Sequence, residues 1–315
     1  MAASPTDMIL KKLQQKMYEA EHYKRLWQNS QAQLDYLKEH ADITTLKPAT
    51  GKLRQEQLEL VDFAKNFFEE IKELDIKPFL IGGNLLGAVR HKGFVPWDDD
   101  LDFGLMREDY DKLVSFAKKH YIVTDYTKNY NKSEWNYVTG YNELRPYLKT
   151  YPNQYILDIW LDQIQIFYGT SIADRKFIDF FAFDFYDEKY EFSEHKKYLH
   201  YITQKKVSID NIRGIIDFLD HEIKHNKNIV QESNKIYFGI DNVMSFTKSF
   251  NTQFMPVDVI FPLKKMPFEN IECYAPNNEK EYLLFDYPNF MQFPNDLGVS
   301  HHHLYRDKVI QEYGA

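Results

Sequence analysis

The segment Ile81–Phe103 has the sequence IGGNLLGAVRHKGFVPWDDDLDF and joins a pair of glycines to a run of aspartates. Glycine is scarce in this chain, with 12 among 315 residues, yet five of them lie between Gly82 and Gly104. Clustered glycine indicates backbone that turns sharply or approaches a ligand closely. Four aspartates within the five positions from Asp98 repel one another unless a cation or a proton lies between them. The segment therefore predicts a site for a phosphate group and a divalent metal.

The residues on either side of the glycine pair predict a strand, a tight turn and a helix. Lys77–Ile81 is a short apolar run with a proline near its start, which is typical of a strand. Asn84–His91 carries apolar residues at a spacing compatible with a short helix. A strand that passes through Gly82 and Gly83 into a helix directs backbone N–H groups and a helix N-terminus at an anion. The glycine pair is therefore predicted to bind a substrate phosphate.

The aspartates predict a metal site beside this turn. If Asp100–Phe103 is extended, Asp100 and Asp102 lie on one face while Leu101 and Phe103 face the core. Two carboxylates about 6–7 Å apart along a strand can share Mg²⁺ or Mn²⁺, because these hard cations take oxygen ligands. The alternative is a solvated acidic turn. The apolar residues around the aspartates favour the metal site.

A second strand with aspartates is predicted at Lys176–Tyr186, which is densely aromatic and apolar. Asp179 and Asp184 interrupt it, and a buried aspartate needs a partner or a metal. From the residues alone, Asp179 is either a member of a buried ion pair or a third metal ligand. Asp184 is expected either to lie at the strand end or to support the metal ligands without binding the metal itself.

The run Gly82–Leu113, GGNLLGAVRHKGFVPWDDDLDFGLMREDYDKL, resembles the signature of the LicD-type phosphotransferases. That family includes bacterial phosphocholine transferases and fukutin-related proteins. The similarity continues in Phe177–Tyr186 and in the segment that begins at Phe261, and it covers about Glu56 to His303. The resemblance implies a nucleotidyltransferase-like fold.

The resemblance also implies roles for individual residues. Asp100, Asp102 and Asp179 would bind the metal. The position of Asp98 beside them predicts that it accepts the proton of the attacking hydroxyl or holds a second metal. The implied catalytic residues are Asp98, Asp100, Asp102 and Asp179, and the implied substrate-binding residues are Gly82, Gly83, Asn84 and Arg90. The chain departs from the family at Asn84, where Ser or Thr is usual, and around Tyr287, where a turn like Tyr-Gly-Asp is usual.

The function implied by the resemblance is a metal-dependent transfer of phosphocholine or a polyol phosphate. The donor would be CDP-choline or a CDP-polyol, the acceptor a glycan hydroxyl, and CMP the leaving product. Three rivals remain: a nucleotidyltransferase that attaches NMP and releases pyrophosphate, a non-catalytic scaffold, and a glycosyltransferase with an Asp-x-Asp motif. The glycine turn ahead of the aspartates and the lack of alternating strands and helices disfavour the glycosyltransferase.

Composition narrows the setting in which the protein works. A net charge of −8 disfavours a nucleic-acid partner. The single cysteine, Cys273, cannot form an internal disulfide or a cysteine-based zinc site. We find no run of about 18 apolar residues, so no membrane-spanning helix is predicted. These features predict a cytoplasmic protein, either free or peripheral to the membrane where surface glycans are assembled.

The N-terminal region predicts a long amphipathic helix. Apolar residues recur at nearly helical spacing across Asp7–Ala41, although Lys24 and Gln31 interrupt the apolar seam. This pattern fits either a coiled coil that joins chains into a homo-oligomer or a helix that packs on its own domain. Thr44–Gly51, with Pro48 and Gly51, is typical of a linker.

The whole pattern predicts an α+β protein in which helices flank a nucleotidyltransferase-like mixed sheet behind the long N-terminal helix. Two domains are expected, residues 1–46 as the helix and 47–315 as the catalytic domain. Further helices are predicted at Leu53–Leu74, Arg107–His120 and much of Tyr190–Gln231, and further strands at Asn136–Leu148 and Gln163–Tyr168.

Overall fold

The computed structural model describes residues 5–125, 137–159, 164–209, 211–242, 253–294, 297 and 301–314. The chain divides into two compact units. The first comprises Met1–Leu46 and Met291–Leu297, and the second comprises Lys47–Phe290 and Gly298–Ala315. The first unit thus includes Met291–Leu297, which the linker predicted at Thr44–Gly51 could not indicate. The expectation that 1–46 and 47–315 are independent domains stays a prediction.

The first unit is dominated by the long N-terminal helix, which is confirmed. This helix, α1, spans Pro5–His40, and a short 3₁₀ turn follows at Ile43–Thr45. Much of the α1 surface is exposed, including large apolar side chains such as Met17 and Trp27. Among the described residues, we find no helix that is both long and apolar enough to cross a membrane.

The second unit is built on one mixed sheet, as the sequence predicts. Its strands are β1 Phe79–Leu80, β2 Asp102–Met106, β3 Ile122–Val123, β4 Ile156–Ile159, β5 Ile164–Tyr168, β6 Lys176–Tyr186, β7 Ile229–Val230, β8 Lys235–Phe238, β9 Met255–Pro256, β10 Lys264–Phe268 and β11 Ile271–Ala275. The strand order is β10-β11-β1-β2-β6-β5-β4-β3, and β7 and β8 pair with the end of β6. Strand β2 runs parallel to β6 and antiparallel to β1.

Helices flank this sheet. They are α2 Gly51–Glu70, α3 Gly82–His91, α4 Arg107–His120, α5 Tyr137–Thr150, α6 Phe192–Ser208, α7 Ile212–His225, α8 Val257–Ile260, α9 Glu279–Asp286 and α10 His301–Tyr313. Helix α2 packs on the sheet through aromatic rings: the ring centroids of Phe67 and Phe180 are 5.8 Å apart, and those of Phe68 and Phe103 are 5.1 Å apart. Such edge and offset contacts add to the hydrophobic gain from burying the rings.

Several predicted elements are confirmed at or near their expected bounds. Helix α4 and strand β6 match the predictions for Arg107–His120 and Lys176–Tyr186. Strand β5 begins at Ile164, and α3 begins at Gly82, two residues before the predicted start. The glycine pair therefore forms the first turn of the helix instead of a separate turn ahead of it.

The strand predicted at Asn136–Leu148 is wrong, because the described part of this segment is helix α5. Its buried side chains are Tyr141, Leu144 and Leu148, which recur every three to four residues. They belong to a small apolar cluster with Val309 of α10. The β-branched and aromatic residues of the segment suggested a strand, but the burial of one helical face against α10 determines the outcome.

A buried histidine gives the fold a defined pH dependence. His195 is fully buried, and its ring lies 4.7 Å from the ring of Tyr186 and 5.2 Å from that of Phe254. Neither ring nitrogen has a hydrogen-bond partner among the described residues. Burial lowers the pKa of His195 from 6.5 to about 3. The unfolded chain therefore takes up a proton below pH 6.5 that the folded chain does not, so stability falls as the pH falls.

We expect the free energy of unfolding to drop by about 2 kcal/mol between pH 7 and pH 5 from this histidine alone. Urea unfolding at both pH values measures the drop, and His195→Phe should remove this part of it. His200→Gln, which changes an exposed histidine of the same helix, is the control and should keep the drop. An equal drop in wild type and His195→Phe would contradict the assignment.

Candidate functional site

The glycine pair lies directly against the aspartates. A Cβ atom placed on Gly83 would stand 2.9 Å from Oδ2 of Asp98, and one on Gly82 would stand 3.5 Å from Oδ2 of Asp102. Gly82 also has a φ of 53°, which side chains disfavour. Glycine at both positions therefore lets the start of α3, with the free backbone N–H groups of a first helical turn, approach the carboxylates closely.

The sheet register places the third carboxylate beside the second. Asp102 of β2 pairs with Asp179 of β6, and Asp179 pairs in turn with Gln165 of β5. Residues that pair directly across strands point to the same face of a sheet. Asp179 is buried, and its Oδ1 accepts a 2.7 Å hydrogen bond from Nε2 of Gln165. The position predicted for Asp179 next to Asp102 therefore follows from the pairing, while its role as a metal ligand stays a prediction.

The other two predicted catalytic aspartates lie in the loop before β2. Strand β2 begins at Asp102, so Asp100 lies two residues before it, and a shared face for the two side chains stays a prediction. The Asp100 carboxyl group lies within hydrogen-bonding reach of Asp98. Burial, followed by the charge of Asp100, raises the pKa of Asp98 well above its ordinary value. Oδ2 of Asp98 is buried and accepts no hydrogen bond from the described residues.

These side chains carry a concentration of negative charge that a cation could offset. The mutual repulsion that raises the Asp98 pKa would be relieved by positive charge at the same place, and carboxylate oxygens are the ligands that Mg²⁺ prefers. Among the described residues, no three Asp, Glu, His or Cys side chains are placed closely enough to enclose an ion. The assignment of Asp100, Asp102 and Asp179 as the ligands therefore stays a prediction.

Asn84 holds the aspartate loop in place. Its side chain is fully buried, Nδ2 donates a 3.0 Å hydrogen bond to the backbone oxygen of Asp100, and Oδ1 accepts a 2.5 Å hydrogen bond from the backbone nitrogen of Asp102. An amide can make both bonds because it carries a donor and an acceptor. These contacts support a positioning role, and direct substrate binding by Asn84 stays a prediction.

Residues of α2 and of the turn between β10 and β11 also support the loop. Nε2 of buried Gln57 donates a 2.9 Å hydrogen bond to the backbone oxygen of Asp98. Arg54 makes two hydrogen bonds, of 2.8 and 2.6 Å, to Glu269, which in turn accepts a 3.1 Å hydrogen bond from the backbone nitrogen of Phe94. These residues could not be predicted from the sequence, since their partners are distant along the chain.

Tyr287, which directly follows α9, also lies beside the glycine turn, and its position could not be predicted from the sequence. The hydroxyl oxygen of Tyr287 would lie 4.0 Å from a Cβ atom on Gly82. Burial, followed by the charges of Asp286 and of the site aspartates, raises the pKa of Tyr287. Burial lowers the pKa of Arg90 to about 10, and Tyr287 opposes this shift. Tyr287 and Arg90 are therefore near one another beside the glycine turn.

Asp184 does not belong to this group of carboxylates. It lies five residues beyond Asp179 on β6, and side chains alternate along a strand, so it points to the opposite face. There it accepts two 2.9 Å hydrogen bonds from Arg107, which also binds Asp241. Asp184 is therefore part of a buried ion network separate from the candidate site.

Comparisons with known proteins agree with this geometry. Residues 75–195 match the model of the nucleotidyltransferase domain shared by LicD, FKTN and FKRP proteins. This range contains the glycine turn and the aspartates of both β2 and β6.

Individual proteins are also similar to this chain, one over nearly its whole length and two over short segments. The lipopolysaccharide cholinephosphotransferase LicD of Haemophilus influenzae is 26% identical over 283 residues, which cover 82% of this chain and 98% of the relative. Two uncharacterized proteins, from Rickettsia prowazekii and Rickettsia typhi, are 41% identical over 78 residues and 48% identical over 52 residues. These two matches cover 29% and 17% of the relatives. The chain is therefore similar to a LicD phosphotransferase over most of its length, and its residues 75–195 match the nucleotidyltransferase domain of that family.

Proposed function

We propose that this protein transfers phosphocholine from CDP-choline to a hydroxyl group of a glycan and releases CMP. The observation that carries the proposal is the approach of Gly82 and Gly83 to Asp102 and Asp98. This approach brings a phosphate-binding helix terminus and a cluster of carboxylates to one place. The named activity of the Haemophilus relative supports phosphocholine as the transferred group.

In the proposed reaction, the acceptor oxygen bonds to the phosphorus that carries choline, and the bond from that phosphorus to the bridging oxygen breaks. The oxygen leaves with CMP. Asp98 is placed to receive the proton of the hydroxyl group, and the first turn of α3 binds phosphate oxygens. Asp100, Asp102 and Asp179 would hold Mg²⁺ or Mn²⁺, which supplies positive charge where negative charge develops in phosphoryl transfer.

The proposed donor can be tested by binding alone. We expect the protein to bind CDP-choline more tightly than CTP in the presence of Mg²⁺, as measured by isothermal titration calorimetry. Asp179→Ala should remove the gain that Mg²⁺ gives, because the ion would lose a ligand. Asp62→Ala, a change at an exposed aspartate of α2, is the control. Tighter binding of CTP would favour the rival nucleotidyltransferase, and an unchanged Mg²⁺ effect in Asp179→Ala would contradict the ligand assignment.

We further propose that α1 joins two chains in a parallel coiled coil. A seven-residue repeat places Leu10 and Met17 at its first position and Leu13, Ala20 and Trp27 at its fourth. The large apolar members are 52% to 62% exposed, and Leu34 continues the seam but is buried in the single chain. In a parallel pair, Lys16 of one helix would face Glu21 of the other, since these positions lie five residues apart.

The helix pairing predicts specific cross-links. The native cysteine, Cys273, is buried, so an added cysteine would be the reactive one. Leu13→Cys and Ala20→Cys should each form a disulfide-linked dimer under mild oxidation, because both positions face their own copies across a parallel seam. Gln15→Cys, on the outer side of the helix, is the control and should stay monomeric in non-reducing electrophoresis. Sedimentation of the wild type as a monomer at micromolar concentration would contradict this pairing.

A further inference from the structure

A cavity opens beside the aspartates between α2, the turn before β6 and α10. Its volume is about 190 Å³, which is room for about six water molecules. The described lining includes Asp99, the residue between Asp98 and Asp100. It also includes Phe177, which lies two residues before Asp179 and hence on the same face of β6. The cavity therefore adjoins the proposed catalytic residues at the end of the sheet where β6 begins.

Positive side chains line this cavity, and contacts hold three of them in place. They are Lys52, Arg175, Lys176 and Arg306. Arg306 donates a 2.9 Å hydrogen bond to Glu56, and Nζ of Lys176 lies 3.1 Å from a carboxylate oxygen of Glu59. Nη1 of Arg175 donates a 3.1 Å hydrogen bond to the backbone oxygen of Ile172. These contacts hold the cationic groups at the cavity wall.

Negative side chains of the described lining balance this charge. They are Glu56, Glu59, Asp99 and Asp174. Equal numbers of positive and negative groups provide no net attraction for a nucleotide diphosphate or for a cation. These charged side chains do provide hydrogen-bond acceptors and donors side by side. A neutral ligand with many hydroxyl groups can use both, since each hydroxyl donates one hydrogen bond and accepts others.

Apolar groups complete the lining. Leu60 and Phe177 are buried core residues that contribute to the cavity. A sugar ring combines hydroxyl groups at its rim with apolar C–H groups on its faces, so it can bind the charged walls and the apolar residues at once. Binding sites in general combine apolar surface with a few well-placed polar groups.

We propose that this cavity binds one neutral sugar residue of the acceptor glycan. Bound there, the glycan would extend past Asp99 and present its reacting hydroxyl group to Asp98. The role of this cavity as an acceptor site rests on the proposed phosphotransfer. Sugar binding at the cavity does not require a donor and can be measured without one.

Saturation-transfer NMR with methyl β-galactopyranoside, methyl β-glucopyranoside and methyl N-acetyl-β-glucosaminide tests the assignment on the whole chain. At least one glycoside should show saturation transfer with the wild type. Glu59→Gln removes a charge from the wall, and Gln55→Trp fills the mouth of the cavity from an exposed position of α2. Both should weaken the signal at least fivefold. The matched control is Glu69→Gln, which changes an exposed glutamate of the same helix paired with Lys72.

A second measurement uses the reaction. Glu59→Gln and Gln55→Trp should raise the KM for the acceptor glycan about fivefold or more and leave the KM for CDP-choline unchanged. The absence of saturation transfer from all three glycosides would overturn the assignment, and so would equal signals from the wild type and both cavity variants. Loss of sugar binding in the cavity variants, together with no CMP from any donor, would support the sugar site while rejecting phosphotransfer.

Discussion

Asp102→Asn is expected to lower phosphocholine transfer about 10²- to 10³-fold and, at the same time, to raise the melting temperature. Asparagine keeps the shape of the side chain but removes the negative charge that would bind the metal. Loss of a group that stabilises developing charge typically costs about 3–4 kcal/mol of activation free energy. The same change removes one of the charges that raise the pKa of Asp98, so repulsion within the folded site decreases.

Structural damage would lower both the activity and the melting temperature, whereas loss of a site charge should lower the activity and raise the melting temperature. Release of CMP and thermal unfolding are measured on the same preparations, with Asp62→Asn as the control for loss of an exposed aspartate. Asp100→Asn should behave like Asp102→Asn, because Asp100 is also within the cluster. Near wild-type turnover in both variants would reject the site, whereas a lower melting temperature with low activity would indicate that Asp102 mainly supports the fold.

Arg107→Met is expected to lower the free energy of unfolding by about 3–5 kcal/mol. Arg107 donates four hydrogen bonds of 2.7–2.9 Å to Asp184 and Asp241, and the Asp184 side chain is fully buried. Burial raises the pKa of Asp184, and Arg107 opposes that rise. Methionine would fill part of the volume but leave fully buried Asp184 and partly buried Asp241 without their cation, and such uncompensated charge strongly destabilises a fold.

Urea unfolding at pH 7 measures this loss against two controls. Lys112→Met breaks an exposed ion pair with Glu108, which lies 2.9 Å away, and should cost less than about 1 kcal/mol. In the triple variant Arg107→Met, Asp184→Leu and Asp241→Leu, no charge is left unpaired, so most of the stability should return. A loss for Arg107→Met as small as that for Lys112→Met would contradict the importance of this network.

The parts of the fold that could be predicted from the sequence have strong local signals. Strand β6 is apolar and aromatic apart from Lys176, Asp179 and Asp184, because sheet neighbours and packed helices bury it. Helix α4 has an amphipathic pattern and acidic residues in its first turn, which favour a helix start. The glycine pair and the aspartates of β2 are adjacent motifs, so their proximity could be inferred from a short stretch of chain.

The features that could not be predicted depend on contacts between distant residues. Nothing near Asp184 in the sequence indicates that Arg107 will bind both it and Asp241. Tyr287 reaches the glycine turn only because α9 ends beside α3. Helix α5 also depends on a distant contact. Its local propensity favours a strand, but packing against α10 produces a helix.

The fate of the choline-bearing phosphorus tests the central claim most directly. CDP-choline labelled with ³²P at that phosphorus is incubated with the protein, Mg²⁺ and an acceptor glycan, and the products are separated by chromatography. Transfer of phosphocholine predicts that the label moves to the glycan and that all released cytidine appears as CMP. Label left in free phosphocholine while CMP becomes attached to the glycan, or pyrophosphate released from CTP, would contradict the proposed function and establish nucleotidyl transfer instead.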